Sequence, residues 1–150
     1  MAIQRDNPYH GFNFLVNLGD GVTETPTAGF QEVSNIGMEV TVAEYRRGNS
    51  KDNGPEKIPG LAKMNDVSLK RGAMGTLDFY RWLDDIRSGR LQAKRDITIQ
   101  LQNEDHTQVV MTWNLLRTML SKYVCSGLNG KGNDVAMEEI TLVAEQVVMA

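Results

Sequence analysis

Residues 45–72 read YRRGNSKDNGPEKIPGLAKMNDVSLKRG, and the fold turns on how they are parsed. The first half is interrupted by Gly48, Asn49, Asn53, Gly54, Pro55, Pro59 and Gly60, residue types that break helix and strand alike. The second half recovers strand alternation, with Val67 and Leu69 spaced between Asp66, Ser68 and Lys70. An irregular excursion over approximately 48–63 is therefore predicted to leave one strand and feed the next. Excursions of that length in a compact domain are usually functional or disordered. This one carries Ile58 and Leu61 on either side of Pro59 and Gly60, and apolar side chains at a loop tip need something to bury them. Two readings are open: the excursion folds back on its own domain, or it is an arm that docks on a neighbouring subunit.

Working outward, residues 38–45 alternate as a strand, with Met38, Val40 and Val42 on one face and Glu39, Thr41, Ala43 and Tyr45 on the other. Upstream, residues 12–18 place Phe12, Phe14, Val16 and Leu18 on one face. A turn follows at Gly19, Asp20 and Gly21, with a loop over 23–27 around Pro26. A short strand over 29–34 is ended by Asn35, and residues 1–10, with Pro8 and Tyr9, form a polar tail that orders on contact. Downstream, Gly72 and Gly75 precede the single helix, predicted over 76–88. Thr76 is its expected N-cap, with Asp78 near the positive end and Arg87 and Arg90 near the negative end. Phe79, Trp82, Leu83 and Ile86 form its apolar stripe, and Gly89 ends it.

The strand over 96–102 alternates Ile97, Ile99 and Leu101 with Thr98, Gln100 and Gln102, turns at 103–106, and returns through 109–115 with Trp113. Residues 118–125 are either another strand or a continuation past a bend, and 127–133 form a loop. A final long strand over 135–148 is predicted to bury Ala136, Glu138, Ile140, Leu142, Ala144, Gln146 and Val148. About eight strands and one helix make the chain mainly β: a single domain over 1–150, an antiparallel two-sheet barrel or sandwich with one flanking helix and a long inter-strand arm.

The chain of 150 residues is long enough for one well-buried core, and its net charge of −3 gives no general attraction to nucleic acid or anionic membrane. No apolar run approaches the roughly 20 residues of a membrane span. The first residues lack a signal-peptide core, so synthesis in the cytosol without insertion of the subunit into a membrane is expected. The lone Cys125 excludes an internal disulfide and is expected to be a buried, inert thiol. His10 and His106 have no partner by sequence. Glu138 and Glu139 point to opposite faces of a strand and cannot chelate together, and the Gly127, Gly130, Gly132 loop lacks P-loop spacing. Lys51, Lys57 and Lys63 come without interleaved aromatics, a weak basis for a nucleic-acid groove. The chain is therefore expected not to be an enzyme and to hold no cofactor or metal. Charge is nonetheless uneven: residues 46–71 balance to +4 and residues 132–150 to −4. These are either solvated faces or complementary surfaces of a self-associating protein.

Several short motifs occur in a fixed order: NPY at 7–9, FNFLV at 12–16, AGFQEVS at 28–34, EYRRG at 44–48, KIPGLAK at 57–63 and VSLKRG at 67–72. A helix with Trp82, then Asn114, then GNDVAMEEITLVAE at 132–145 complete the set. Over nearly its whole length the chain resembles the tail tube proteins of contractile phages and of related contractile injection systems. The resemblance implies a two-sheet β-barrel with one flanking helix, similar to the type VI secretion tube protein. It also implies six-fold rings whose sheets join edge to edge into an inner barrel, stacked as a hollow tube inside a contractile sheath. The implied partners are further copies of the chain, a sheath protein, baseplate and tube-terminating proteins, and cargo or DNA in the lumen. The implied setting is a virion tail or an extracellular or cell-associated injection particle. One stretch departs from the family pattern: LLRTMLS at 115–121 stands where an aromatic-proline segment is common.

On this reading the expected subunit and ring contacts are Tyr45, Arg46, Arg47, Lys57, Ile58, Pro59, Leu61 and Lys63 of the arm, with Glu138 and Glu139 as acidic acceptors. Glu39, Thr41, Thr98 and Gln100, with Gln102 beside them, are expected to face the lumen, while Val40, Val42, Ile97 and Ile99 are buried. Asp84, Asp85 and Arg87 are expected to face the sheath from the outside of the wall. The competing reading is a β-sandwich module that binds a glycan or protein ligand.

Overall fold

A computed structural model describes residues 2–19 and 29–150. The turn predicted at Asp20 and Gly21 and the loop over 23–27 lie outside the described residues. Among the described residues nine strands form: β1 (Phe14–Asn17), β2 (Glu32–Ser34), β3 (Met38–Tyr45), β4 (Glu56–Met64), β5 (Val67–Gly72), β6 (Arg95–Gln102), β7 (Val109–Cys125), β8 (Met137–Val143) and β9 (Gln146–Met149). The helix α1 (Asp78–Arg87) lies between β5 and β6. The main sheet has the order β1-β6-β7-β8-β5-β2, with β9 on β7, and every pairing is antiparallel. Among the described residues β3 and β4 pair only with each other.

One long strand, β7, makes a sandwich of this sheet. Up to Thr118 it pairs with β6 and β9, and from Met119 onward with β8. The change of partner coincides with Arg117, which adopts φ 49° and donates its backbone N–H to Asp96 Oδ1 at 3.0 Å. The bend thus sits inside the 115–121 stretch that departs from the family pattern, and 118–125 is the continuation rather than a separate strand. Val16, Ile97, Ile99 and Leu115 from one half meet Val67, Leu69, Leu120, Ile140 and Leu142 from the other in a single core. Among the described residues the path does not close: β1 and β2 are its two ends, so the architecture is an open sandwich.

α1 packs Phe79 and Trp82 into this core, and the Trp82 indole donates to the Ala93 carbonyl at 2.6 Å. Its N-cap is Leu77, with no side-chain cap bond, rather than Thr76. The Thr76 hydroxyl is instead held by Asp78 and Arg71, and Asp78 itself accepts the Phe79 N–H at 2.9 Å. Gly89 ends the helix at φ 81°, a conformation that only glycine adopts freely.

The predicted last strand is two strands. Glu138, Ile140, Leu142 and Ala144 are buried as the alternation requires, but at Glu145 the chain leaves β8 and the phase shifts. Val147, not Gln146 or Val148, then faces the core from β9. Phe12 is exposed, and so is Cys125, because it ends β7 beyond the core. The N-terminal tail lies on the β6–β7 hairpin. Ile3 donates its N–H to the Val110 carbonyl at 2.9 Å, and Arg5 pairs with Glu104 at 2.6 Å while stacking on Tyr9. That pairing, with backbone N–H bonds, holds the Glu104 carboxyl at about 2, below its ordinary 4.5.

Candidate assembly surface

The irregular excursion is shorter than its composition suggests. Residues 56–64, including Pro59 and Gly60, form β4, which with β3 makes a hairpin attached to the body at one end. Proline lacks a ladder donor, so strands tolerate it on edges, and β4 has only β3 beside it. The register slips by one residue between Val40 and Val42, so that Gly60 and Leu61 stand opposite Thr41. Gly60 is required at this bulge, because a Cβ there would lie 2.9 Å from the Thr41 carbonyl oxygen. Only residues 46–55 remain as a tip, where Arg46 is bonded to the carbonyls of Ser50 and Asp52.

The hairpin is firmly rooted. β2 runs into β3, and β4 into β5, across Asn35, Ile36 and Gly37 on one side and Asn65 and Asp66 on the other. Asn65 donates its N–H to the Gly37 carbonyl at 3.0 Å, and the Asn35 side chain, at φ 68°, donates to the Asp66 carbonyl at 3.0 Å. The β2–β5 ladder therefore continues outward as the β3–β4 ladder.

Directly paired residues share a face. One face of the hairpin carries Met38, Val40, Val42, Pro59 and Ala62, ending at a Glu44–Lys57 ion pair of 2.6 Å. The other carries Glu39, Thr41, Ala43, Tyr45, Ile58, Leu61 and Lys63. Every residue of β3 is exposed. Val40 and Val42, expected in the core, are 51% and 53% exposed, and Leu61 is 85% exposed. The alternation identifies an apolar face, but none of the described residues buries it.

The other expected site residues lie on other elements: β8, β6 and α1. Glu138 is not a free acidic acceptor: it is buried, accepts Arg71 Nε–H at 3.1 Å and takes the Tyr123 hydroxyl proton bond at 2.8 Å. Burial, and then Glu138 itself, push the Tyr123 hydroxyl up to about 12. Glu139 points the other way, into an open cleft that it lines with Glu32, Lys70, Val124 and Met137. Thr98, Gln100 and Gln102 are partly buried on β6, where Thr98 donates to Asn114 Oδ1 at 3.1 Å. They lie on the other half of the sandwich from the strands that lead into the hairpin, so the structure does not bring them together with Glu39 and Thr41. Asp84 and Asp85 are half-buried on α1, paired with Arg87 and with Arg90 respectively.

Sequence reasoning missed Arg71. Its phase on β5 is that of Val67 and Leu69, so its guanidinium enters the core. There it binds Glu138, both Asp78 oxygens (2.6 and 3.1 Å) and Thr76, and lies 3.7 Å from the Phe79 ring centre. Burial pushes the Asp78 carboxyl up, but the bonds from Arg71, Thr76 and Phe79 outweigh it and hold the group below its ordinary range. A charged residue in core phase with carboxylates elsewhere in the chain was the available signal. The exposed Leu77 and Tyr80 beside the helix start were also missed. Among the described residues no three potential metal ligands cluster, and no helix is long and apolar enough to cross a membrane.

Comparison with known proteins gives a consistent picture. A family model described as T4-like virus tail tube protein gp19 matches residues 10–148. A chain from the sheath–tube complex of the PVC extracellular contractile injection system, in its extended state, is 29% identical. The match covers 97% of this chain and 93% of that one, with a TM-score of 0.83. A chain from the tube-terminating cap of the anti-feeding prophage is 26% identical over 100% of this chain and 95% of its own, with a TM-score of 0.84. Hcp1 from Flavobacterium johnsoniae, 11% identical over 91% of this chain and 94% of its own with a TM-score of 0.55, is alike in fold. No curated protein sequence matches the chain.

Proposed function

The chain belongs to the T4-like tail tube protein family and is a structural tube subunit; from that premise we propose how the subunit builds its tube. Six copies close into a ring, and rings stack into a hollow conduit. A surrounding contractile sheath drives that conduit through a target envelope, with baseplate and terminating proteins at its ends and cargo or DNA in its lumen. The chain acts without catalysis and takes its place in a virion tail or injection particle. The sheath–tube complex and the tube-terminating cap that hold similar chains support the sheath and terminating partners.

The observation that carries the reading is the hairpin. A strand pair with core-type alternation and no core beneath it is one half of an interface. Complete burial of an Ile or Leu side chain is worth about 1.5–3 kcal/mol. Ordering a loose arm would offset most of that gain, at about 1–2 kcal/mol per residue. Here the β3–β4 ladder has already ordered the residues, so docking keeps more of the gain. Repetition around a ring makes each later contact effectively intramolecular. Tyr45, Ile58, Leu61 and Lys63 meet an adjacent subunit, and the basic tip with Arg46 and Arg47 reaches toward the next ring.

The test is the double substitution Ile58→Ser and Leu61→Ser. The isolated subunit should melt almost as the unaltered protein does, while electron micrographs show short tubes or free rings. A variant that unfolds readily as a monomer would return the hairpin to its own domain and refute the reading.

A further inference from the structure

We propose that Asn53, at the tip of the β3–β4 hairpin, is a self-modifying residue. In the free subunit the Gly54 nitrogen attacks the Asn53 side-chain amide, with Asp52 as the base, and the tip ages by that reaction. The consequence for assembly rests on the tube reading above; the chemistry stands apart from it.

Asparagine is thermolabile because its side-chain carbonyl carbon lies within reach of the next backbone nitrogen. A side chain on the following residue crowds that nitrogen, and glycine has none. The chain contains two Asn-Gly steps, Asn53–Gly54 and Asn129–Gly130, both exposed and both outside the strands. They are held differently. In the tip, Gly54 donates its N–H to Asp52 Oδ1 at 3.2 Å. A carboxylate thus already rests on the proton that the nucleophile must lose, which is the place of a general base. Asp52 is itself fixed: its N–H donates to Ser50 Oγ at 3.3 Å, and its carbonyl accepts Arg46 Nε–H at 3.2 Å. At the other step Asn129 Oδ1 accepts the Lys131 N–H at 3.0 Å, and its main-chain carbonyl accepts the Gly132 N–H at 3.2 Å. The Asn129 side chain is tied to Lys131, and among the described residues no carboxylate bonds the Gly130 N–H.

The reaction needs water and nothing else. The Gly54 nitrogen passes its proton to Asp52 and bonds to Asn53 Cγ. The bond from Cγ to the side-chain nitrogen breaks, and that nitrogen takes the electron pair and the proton and leaves as ammonia. Water then opens the succinimide. Breaking the new Cγ–N bond gives aspartate; breaking the old peptide bond gives isoaspartate, whose main chain runs through Cγ and is one methylene longer. Either product adds a negative charge beside Asp52. The tip over 46–55 carries Arg46, Arg47 and Lys51 against Asp52, a balance of +2 that falls to +1. Isoaspartate also moves Gly54 off Asp52 and unmakes the turn. A tip that is less basic and misshapen fits the next ring poorly, so subunits left unassembled drop out of tube growth. A tip already packed against the next ring cannot bend to close the succinimide. Asn53 is therefore a timer that runs until assembly stops it.

The test ages dilute subunit in mildly alkaline buffer and follows both steps by peptide mass spectrometry. Fragment ions place the change from amide to acid, and an isoaspartyl methyltransferase labels the longer product. Asn53 should convert about tenfold or more faster than Asn129, and Asp52→Asn, which keeps an oxygen on the Gly54 N–H but is no base, should remove that advantage. A Cβ on Gly54 would lie 3.7 Å from Asp52 Oδ1, an ordinary contact, so Gly54→Ala keeps the turn while crowding the nitrogen and should stay unconverted. In preformed tubes Asn53 should convert about tenfold more slowly than in free subunit. Electron micrographs should show shorter tubes from aged unaltered protein and from fresh Asn53→Asp, and full-length tubes from aged Gly54→Ala. Conversion at Asn53 no faster than at Asn129, or undiminished in Asp52→Asn, would overturn the assignment of the base. Equal conversion in tubes and free subunit, or full-length tubes from converted protein, would overturn the timer. Fresh unaltered protein that forms neither rings nor tubes would overturn the tube reading and the timer with it, while the rates at Asn53 and Asn129 would still decide the chemistry.

Discussion

Replacing Arg71 with methionine tests whether the buried charge cluster is the clamp between helix and sheet. The Arg71 and Glu138 side chains are 1% and 7% exposed, so removal of the guanidinium strands a carboxylate that keeps only the Tyr123 hydroxyl. Breaking a buried pair from one side costs about 3–5 kcal/mol. Asp78 adds little, because its side chain is 43% exposed and rehydrates, as partly exposed pairs do at about 0–1 kcal/mol. Loss of the contact with Phe79 adds about 0.5–2 kcal/mol. For a domain of this size each kcal/mol shifts melting by about 2–4 °C, so the total loss of about 3.5–8 kcal/mol corresponds to a fall of roughly 7–32 °C. Urea melts of dilute, monomeric subunit measure it directly. Adding Glu138→Leu to Arg71→Met removes the stranded charge, and apolar replacement of a whole buried pair is often neutral or stabilising, so the double variant should regain most of the loss. A single-variant loss below about 1 kcal/mol, or a double variant no better than the single, would refute the reasoning.

Two further predictions concern the ends of the molecule. Charge reversal by Asp84→Lys and Asp85→Lys removes pairs with Arg87 and Arg90 worth about 0–1 kcal/mol each, so rings should persist while co-assembly with sheath weakens; loss of the rings would count against an exterior helix. Because Glu104 titrates in the fold at about 2 and ordinarily at 4.5, tail docking through Arg5 is complete above about pH 4.5 and is lost as pH falls through about 2. Protection of the Ile3 amide, its exchange rate relative to the intrinsic rate at the same pH, should fall across that window and be low throughout in Glu104→Gln; an Ile3 amide whose protection is indifferent to both would refute the link.

How much was legible depended on whether the deciding interaction was local. The phases of β5, β6 and the first part of β8 were readable because one face is buried and the other is not, and the stripe of Phe79 and Trp82 fixed the helix for the same reason. β4 was not readable, because Pro59 and Gly60 look like loop until a bulge opposite Thr41 is known to accommodate them. Val40 and Val42 were read into the core since alternation reports an apolar face, not whether the chain's own body lies against it. Glu138 looked like a surface acceptor because its counter-charge, Arg71, is far away in sequence and unremarkable among the other basic residues of that stretch. The break at Glu145 is set by packing of β9 on β7, which leaves no mark on the local pattern.

The position of β8 has a consequence for newly made chains. In space it lies between β5 and β7, yet in sequence it follows both, so Val67 waits for Leu142 and Leu120 waits for the same residue. Until residues 137–143 leave the ribosome, the two strands that flank them have nothing to hold them in one sheet. The hairpin is already synthesised by then, but the sheet from which it extends is not complete. On the tube assembly proposed above, a half-made chain neither extends a tube nor caps one, and polymerisation begins only with subunits whose synthesis has passed that central strand.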